Sequence, residues 1–393
     1  MTDASLRLQR VRVGELPEFA RRALQDRARH GILPITVRRA DAQARNPAAS
    51  PDDVALIVAY LEDRCIGYLG MFPVRFEEDG RTRKVLSLST YYVGPEHRGT
   101  GAGALLLLHA VSMGNDLFVA GFSEVAGRLY QGTGFRPVGP VPLVNLRLDA
   151  ALVLPLLLGR LRHGIGSPGA GFVARALERV ERLSKRTVEA ALRPLVVGLL
   201  LRGLRTSHEE PVFCPVESVQ SAEGLPAVGR PQDGSRFVRD DATVNWMIHH
   251  PWIAEDRSLR LDYAFSYQRD LFRFLPFQLR APGSGQDLGY VVLRVSADAR
   301  RTVLTILDCV IADERYRHDV LTLALRQALR WSADRIECGE EFGLLLHPSF
   351  LHRVVMRRDR RRCLAFARDR HAFCRDRPGE LNLGICDGDA PYV

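Results

Sequence analysis

The chain has 393 residues, 46% hydrophobic and 26% charged, the balance of an ordinary globular protein with room for two domains that each bury a core. Its formal charge of +9 is carried almost wholly by arginine, a pattern that fits a compositional bias as well as an electrostatic footprint, and no nucleic-acid partner is expected. Seven cysteines lie scattered without a C-x-x-C pair, and the histidines offer no zinc spacing. Reduced thiols, a cytoplasmic location and no metal site are therefore expected.

The opening MTDASLRLQRVRVGEL holds no apolar h-region. Residues 5–13 read as a strand, and GELPEFARRALQDRARHG as an amphipathic helix with Leu16, Phe19 and Leu24 on its buried stripe. TVRRADAQARNPAAS, at 36–50, is a polar helix or loop. Residues 53–93 then give three strands joined at Glu62-Asp63 and Glu78-Asp79-Gly80.

The organising stretch is KVLSLSTYYVGPEHRGTGAGALLLLHAVSMG, residues 84–114: a strand rich in β-branched and aromatic residues, a glycine-rich loop, and a helix ending at Gly114. Gly99, Gly101 and Gly103 lack a Cβ, so the backbone can turn sharply and aim several N–H groups at one spot. The helix N-terminus adds unpaired N–H groups and partial positive charge, and Arg98 adds a full one. No G-x-G-x-x-G and no Gly-Lys-Ser/Thr is present, so the loop is neither a dinucleotide fingerprint nor a nucleoside-triphosphate loop.

RGTGAG, at 98–103, fits R-x-x-G-x-G, and GRLYQGTGFRPVG, at 127–139, places Tyr130, Gly134 and Phe135 on a Leu-Tyr-x-x-x-Gly-Phe pattern. With the short strand LFVAGFS between them, residues 5–148 resemble the acyl-CoA dependent GNAT N-acyltransferase superfamily. The resemblance implies an α/β domain with a mixed, mostly antiparallel sheet flanked by helices. It implies acetyl-CoA, or another acyl-CoA, as co-substrate, and an amine of a small molecule, amino sugar or peptide as acceptor.

By the same resemblance, the backbone of Tyr92 and Val93 pairs with the pantetheine arm. Arg98, Gly99, Thr100, Gly101, Ala102, Gly103 and Ala104 hold the pyrophosphate. Ser123 stands where the family often has an asparagine that helps to hold the cofactor. Tyr130 is the candidate general acid, its phenol matched to a leaving thiolate, with a packing tyrosine as the other reading. SLSTYYV offers only Ser87, Ser89 and Thr90 where relatives often use a carboxylate, so Glu124 is the candidate base. The 36–50 segment would form a wall of the acceptor pocket, with Arg39, Gln43 and Asn46 either facing the acceptor or lying on a solvated helix face.

Residues 150–210 read as basic amphipathic helices, an insertion between domains whose arginine face could also meet an anionic membrane or an acidic carrier protein. From 211 onward, meander, central strand, helix and strand recur, which suggests a second GNAT-like domain. There ERYRHD replaces the glycine loop, so this half is expected to bind no CoA. The expected organisation is thus 1–149, 150–210 and 211–393. The tail's Asp387-Gly388-Asp389 either lines the acceptor site or forms a surface turn. Two other functions stay open, an acyltransferase that draws on an acyl carrier protein and an acyl-CoA sensor without transfer. A homo-oligomer stays open as well.

Overall fold

The computed structural model describes residues 6–26, 31–78, 80–148, 185–204, 210–221, 235–255, 261–346, 355–368, 381 and 383–388. The chain begins β1 (Leu6–Arg12), α1 (Leu16–Gln25), α2 (Val37–Ala44), β2 (Val54–Leu61), β3 (Arg64–Glu78) and β4 (Arg81–Val93). It continues α3 (Ala102–Ser112), β5 (Leu117–Ala120), α4 (Glu124–Gly132), β6 (Arg136–Arg147), α5 (Lys185–Gly203), β7 (Val212–Pro215) and β8 (Arg236–Phe237). The remainder is α6 (Asp241–His249), β9 (Leu271–Arg280), β10 (Asp287–Ala297), β11 (Thr302–Ile311), α7 (Arg317–Arg330), β12 (Arg335–Gly339), α8 (Glu340–Gly343) and β13 (Met356–Phe366).

This mixed α/β chain gathers into two compact units, one of residues 1–141, 231–270 and 360–393, the other of 142–230 and 271–359. These units cut across the linear boundaries at 149 and 210. Residues 231–270 and the last strand from Arg360 onward join the first unit, and β6 gives its first half to one unit and its second half to the other. Of the expected helical insertion, α5 is described; 149–184 and 205–209 lie outside the described residues.

In the first unit the strand order is β1-β2-β3-β4-β5-β13, followed by the start of β6. β1 to β4 form an antiparallel meander. β4 and β5 are parallel, and they pair only over Leu86–Leu88 against Leu117–Val119. Beyond that point the two strands separate. β13 lies antiparallel to β5, Cys363 opposite Ala120 and Phe366 opposite Leu117.

Two cores follow from the alternation of side chains along the strands. Ile57, Leu69, Leu86 and Leu88 pack with Leu106 and Leu107 of α3 and Tyr130 of α4. Leu56, Val58 and Tyr68 pack with Leu16 and Phe19 of α1 and with Tyr263. Leu106 and Leu107 are fully buried, about 1.5–3 kcal/mol each, so packing rather than capping holds α3 in place.

A bulge interrupts β4. Leu69 faces Tyr91 and Met71 faces Leu88, so Gly70 alone stands opposite both Ser89 and Thr90. A Cβ on Gly70 would collide with the Thr90 hydroxyl, which is why glycine sits there. The extra residue resets the alternation: Leu86, Leu88, Tyr91 and Val93 share one face, while Tyr92 points to the other.

The second unit has its own core, built from β9, β10, β11, β12, the second half of β6 and helices α5 and α7. It repeats the logic of the first. β11 is parallel to β12 over Val303–Thr305 only, and β11 is also bulged, with Val292 facing Asp308 and Leu293 facing Ile306. The turn into α7 differs. Asp313 accepts the Arg315 N–H through its carboxylate at 2.8 Å, and Tyr316 is buried.

Candidate acyl-CoA site

The site is built where β4 leaves β5. Past Leu88, β4 has no strand partner on that side among the described residues, so the main chain of Tyr91–Val93 borders the cleft rather than a ladder. The chain then makes a single 3-10 turn, Pro95–His97, and enters α3 through Gly99 and Gly101, both at φ +85°. A Cβ on either glycine would meet nothing within 4 Å, so glycine is required for conformation rather than for space.

Gly101 is the N-cap of α3 and supplies no side-chain cap. The first intrahelical bond is from Leu105 N–H to Gly101 O at 3.0 Å, which leaves the N–H groups of Ala102, Gly103 and Ala104 without helical acceptors. α4 is different, because the Ser123 hydroxyl accepts the Ala126 N–H at 3.2 Å. One helix end in the cleft is thus capped by the protein, and the other is left for an anion.

Between them lies a cavity of about 890 Å³. Of the residues expected to hold the cofactor, Tyr92, Val93, Arg98, Gly99, Gly101, Gly103, Ala104 and Ser123 line it. Thr100 and Ala102 do not. Thr100 turns its hydroxyl back to His97 O at 2.8 Å and shapes the loop, while Ala102 is buried beneath the helix. The Arg98 side chain is exposed and donates through Nε to Val93 O at 3.4 Å.

The two residues expected to move protons stand elsewhere. Tyr130 is 2% exposed, its ring packed against Tyr91, Phe122 and Phe135 in the core rather than along the cavity wall. Glu124 is 78% exposed, paired with Arg128 one turn on at 3.1 Å, and is not part of the lining. Its place at the start of α4 explains both its exposure and its pairing, since a carboxylate in a first helical turn is favoured by the helix dipole.

Sequence reasoning missed Tyr91, which lines the cavity and carries its hydroxyl to the start of α3. Burial pushes its phenol up to about 12, so it is a hydrogen-bond donor throughout the neutral range. The bulge hid it, because strict alternation would not set Tyr91 on the same face as Leu88. His97, Val125, Ala126, Arg128 and Leu129 complete the wall.

The opposite side of β4 is covered by residues from the middle of the chain. Trp246 Nε1 donates to Ala42 O at 2.7 Å, Arg38 to Pro251 O at 2.9 Å, and Trp252 and Tyr263 lie over α2. Arg39, Gln43 and Asn46 are therefore 3%, 2% and 5% exposed, which corrects the solvated-face reading of α2. Asn46 is committed to backbone, donating to Pro73 O at 2.8 Å and accepting from Ala48 N–H at 2.9 Å, so it does not face an acceptor. In the tail, Asp387 is buried rather than part of a surface turn, accepting the Gly384 N–H at 2.6 Å, and Asp389 lies outside the described residues. Among the described residues no cluster of three or more metal-ligating side chains occurs, and no helix is long and apolar enough to cross a membrane.

Comparison with known proteins places this geometry. Residues 22–135 match the model of the acetyltransferase (GNAT) family. No curated protein sequence matches the chain. Among solved structures it is similar to a GCN5-related N-acetyltransferase from Anabaena variabilis, with a TM-score of 0.48 and 12% identity over 93% of this chain and 73% of that one. It is also similar to Saccharomyces cerevisiae N-myristoyltransferase with bound myristoyl-CoA, with a TM-score of 0.49 and 9% identity over 93% and 83%. A third is Eis1 from Mycobacterium abscessus, with a TM-score of 0.45 and 14% identity over 93% and 74%. The bulged and splayed β4, the glycine turn and the uncapped helix that follows it all fall inside the matched segment, and the chain accordingly carries a domain of the acetyltransferase (GNAT) family over residues 22–135.

Proposed function

We propose that the protein transfers an acyl group, with acetyl the simplest candidate, from acyl-CoA to the amine of a small molecule, amino sugar or peptide. The observation that carries this reading is the uncapped start of α3, reached through two glycines in the left-handed region and opening on a cavity of about 890 Å³. The residues fit the group. The N–H groups of Ala102, Gly103 and Ala104 would hold the pyrophosphate with Arg98, and the free edge of Tyr91–Val93 would pair with the amides of the pantetheine arm. Val93, Val125, Ala126 and Leu129 give that arm an apolar wall.

When bound, acyl-CoA supplies an activated thioester. The protein's part is to position it, to polarise its carbonyl and to keep a proton donor near the leaving sulfur. Tyr91, protonated and in the cavity wall, carries its hydroxyl beside Gly103 and is therefore placed to donate at the pyrophosphate end of the cleft, with Tyr130 packed behind it, ring centroids 6.0 Å apart.

A second reading, an acyl-CoA sensor without transfer, is favoured by one observation: neither Tyr130 nor Glu124 lines the cavity. Calorimetry with acetyl-CoA, followed by thiol release over an amine panel, separates the two. Binding with amine-dependent release supports transfer, binding without release supports the sensor, and no binding overturns both.

A further inference from the structure

On the far side of β4 from the cavity, Arg39 is 97% buried as a residue, yet its guanidinium has no carboxylate partner among the described residues. Its partners are neutral. Nη1 donates to the Tyr263 hydroxyl at 3.4 Å, Nη2 donates to the Ser89 hydroxyl, and Cζ lies 4.0 Å from the centre of the Trp252 ring. Each Nη carries a second N–H, so the fork keeps donors to spare. One turn along the same face of α2, the side-chain oxygen of Gln43 is buried with no hydrogen-bond partner.

A cation held out of water without a counter-charge is costly, and proteins ordinarily neutralise it. Nearby, the aromatic ring softens the cost but carries no negative charge. Ser89, which takes one arm of the fork, is only half-buried. Ser89 belongs to the bulge at which β4 parts from β5, two residues from Tyr91 in the cavity wall. An anion that reached Ser89 would meet the Arg39 fork at the reacting end of the cleft.

We propose that Arg39 is a carboxylate receptor, so that one of the two substrates carries a carboxylate close to the reacting centre. The inference rests on the acyl-transfer reading above and names a chemistry that reading leaves open. Arg39 is suited to it, because a planar guanidinium grips a carboxylate through two parallel hydrogen bonds. The same chemistry has two sources. The carboxylate belongs either to the acyl group, as in a dicarboxylic acyl-CoA, or to the acceptor, as in an amino acid.

Isothermal titration calorimetry on the full chain distinguishes them. One arm compares succinyl-CoA with butyryl-CoA, which differ in the terminal carboxylate. The other compares amino acids with their amides, on protein saturated with CoA. The expected result is about tenfold tighter binding of the carboxylate member in one arm. Arg39→Met abolishes that preference while the affinity for CoA itself stays within about twofold, since the loop at α3 is untouched. Should Arg39→Met fail to fold, Arg39→Lys keeps the charge but loses the fork, and the preference falls severalfold.

No preference in either arm overturns the proposal. So does a preference that survives Arg39→Met, or one undiminished in folded Arg39→Lys. A wild-type protein that binds no CoA sinks the acyl-transfer reading instead, and the amino-acid arm run without CoA still decides the role of Arg39.

Discussion

The hydroxyl of Tyr91 stands against Gly103, 2.6 Å from where a β-carbon on that glycine would lie. Two elements that meet only after the chain has turned through the glycine loop are thus fitted to each other at the mouth of the helix. Gly103→Ala should cost about 1–3 kcal/mol, as overpacked sites do, because the added methyl meets the phenol head-on. Tyr91→Phe removes the obstructing atom, so the double variant should recover most of that loss. A double-mutant cycle by urea denaturation checks this, and additive effects would show that the contact is slack. Tyr91→Phe alone should weaken CoA binding by about three- to tenfold through loss of one hydrogen-bond donor, read by calorimetry.

Gly101 needs its freedom for another reason. At φ +85°, an alanine strains the backbone by about 1–2 kcal/mol although its methyl would touch nothing. Gly101→Ala should therefore lower CoA affinity by at least about tenfold with little change in the packing of α3. Gly132→Ala, in α4 with open space around it, should leave binding unchanged and raise stability by up to about 1 kcal/mol through helix propensity. An equal loss of CoA affinity in the two variants would mean that the turn at Gly101 is not what is being measured.

For Tyr130→Phe and Glu124→Gln, turnover within about twofold of wild type is expected, because neither side chain lines the cavity. A drop in kcat of a hundredfold with unchanged KM in either variant would return that residue to the chemistry.

The contrast between these residues shows what could be read from the chain alone. The strand, glycine loop and helix of residues 84–114 are contiguous, and each declares itself by local rules of period and punctuation. Tyr91 carries no local mark of its place, since a one-residue bulge opposite Gly70 inverts the face that alternation alone would assign it. Trp246, Trp252 and Tyr263 were placed with the second half because nothing local marks a segment that will cover a helix some two hundred residues earlier. For the same reason α2 could be read as having a solvated face, and nothing local decided between that face and an acceptor wall for Arg39.

Stability should fall in alkali. Burial pushes the Cys65 thiol up to about 12, so above its ordinary value near 9 the unfolded chain ionises while the folded chain does not. The contribution is whole below pH 9 and is lost as the pH rises toward 12, at up to about 1.4 kcal/mol per pH unit. Tyr60 and Tyr91, each pushed up to about 12 from 10, add to the slope above pH 10. Urea denaturation at pH 8, 9, 10 and 11 reads the curve. Cys65→Ala should reduce the slope between pH 9 and 10, to which the buried Cys338 and Cys363 thiols, also pushed up by burial, contribute as well; an unaltered slope there would assign the loss to those other groups.

β13 takes its place beside β5 in the first unit although its residues are among the last in the chain. During vectorial synthesis on the ribosome, β5 must therefore wait with a bare edge while more than two hundred further residues are made. A fragment ending near residue 149 would keep every glycine and tyrosine of the cavity yet expose that edge permanently, and would be prone to cross-pair with its own copies. Nascent-chain protection from proteolysis should accordingly appear late, once Phe366 has cleared the exit tunnel.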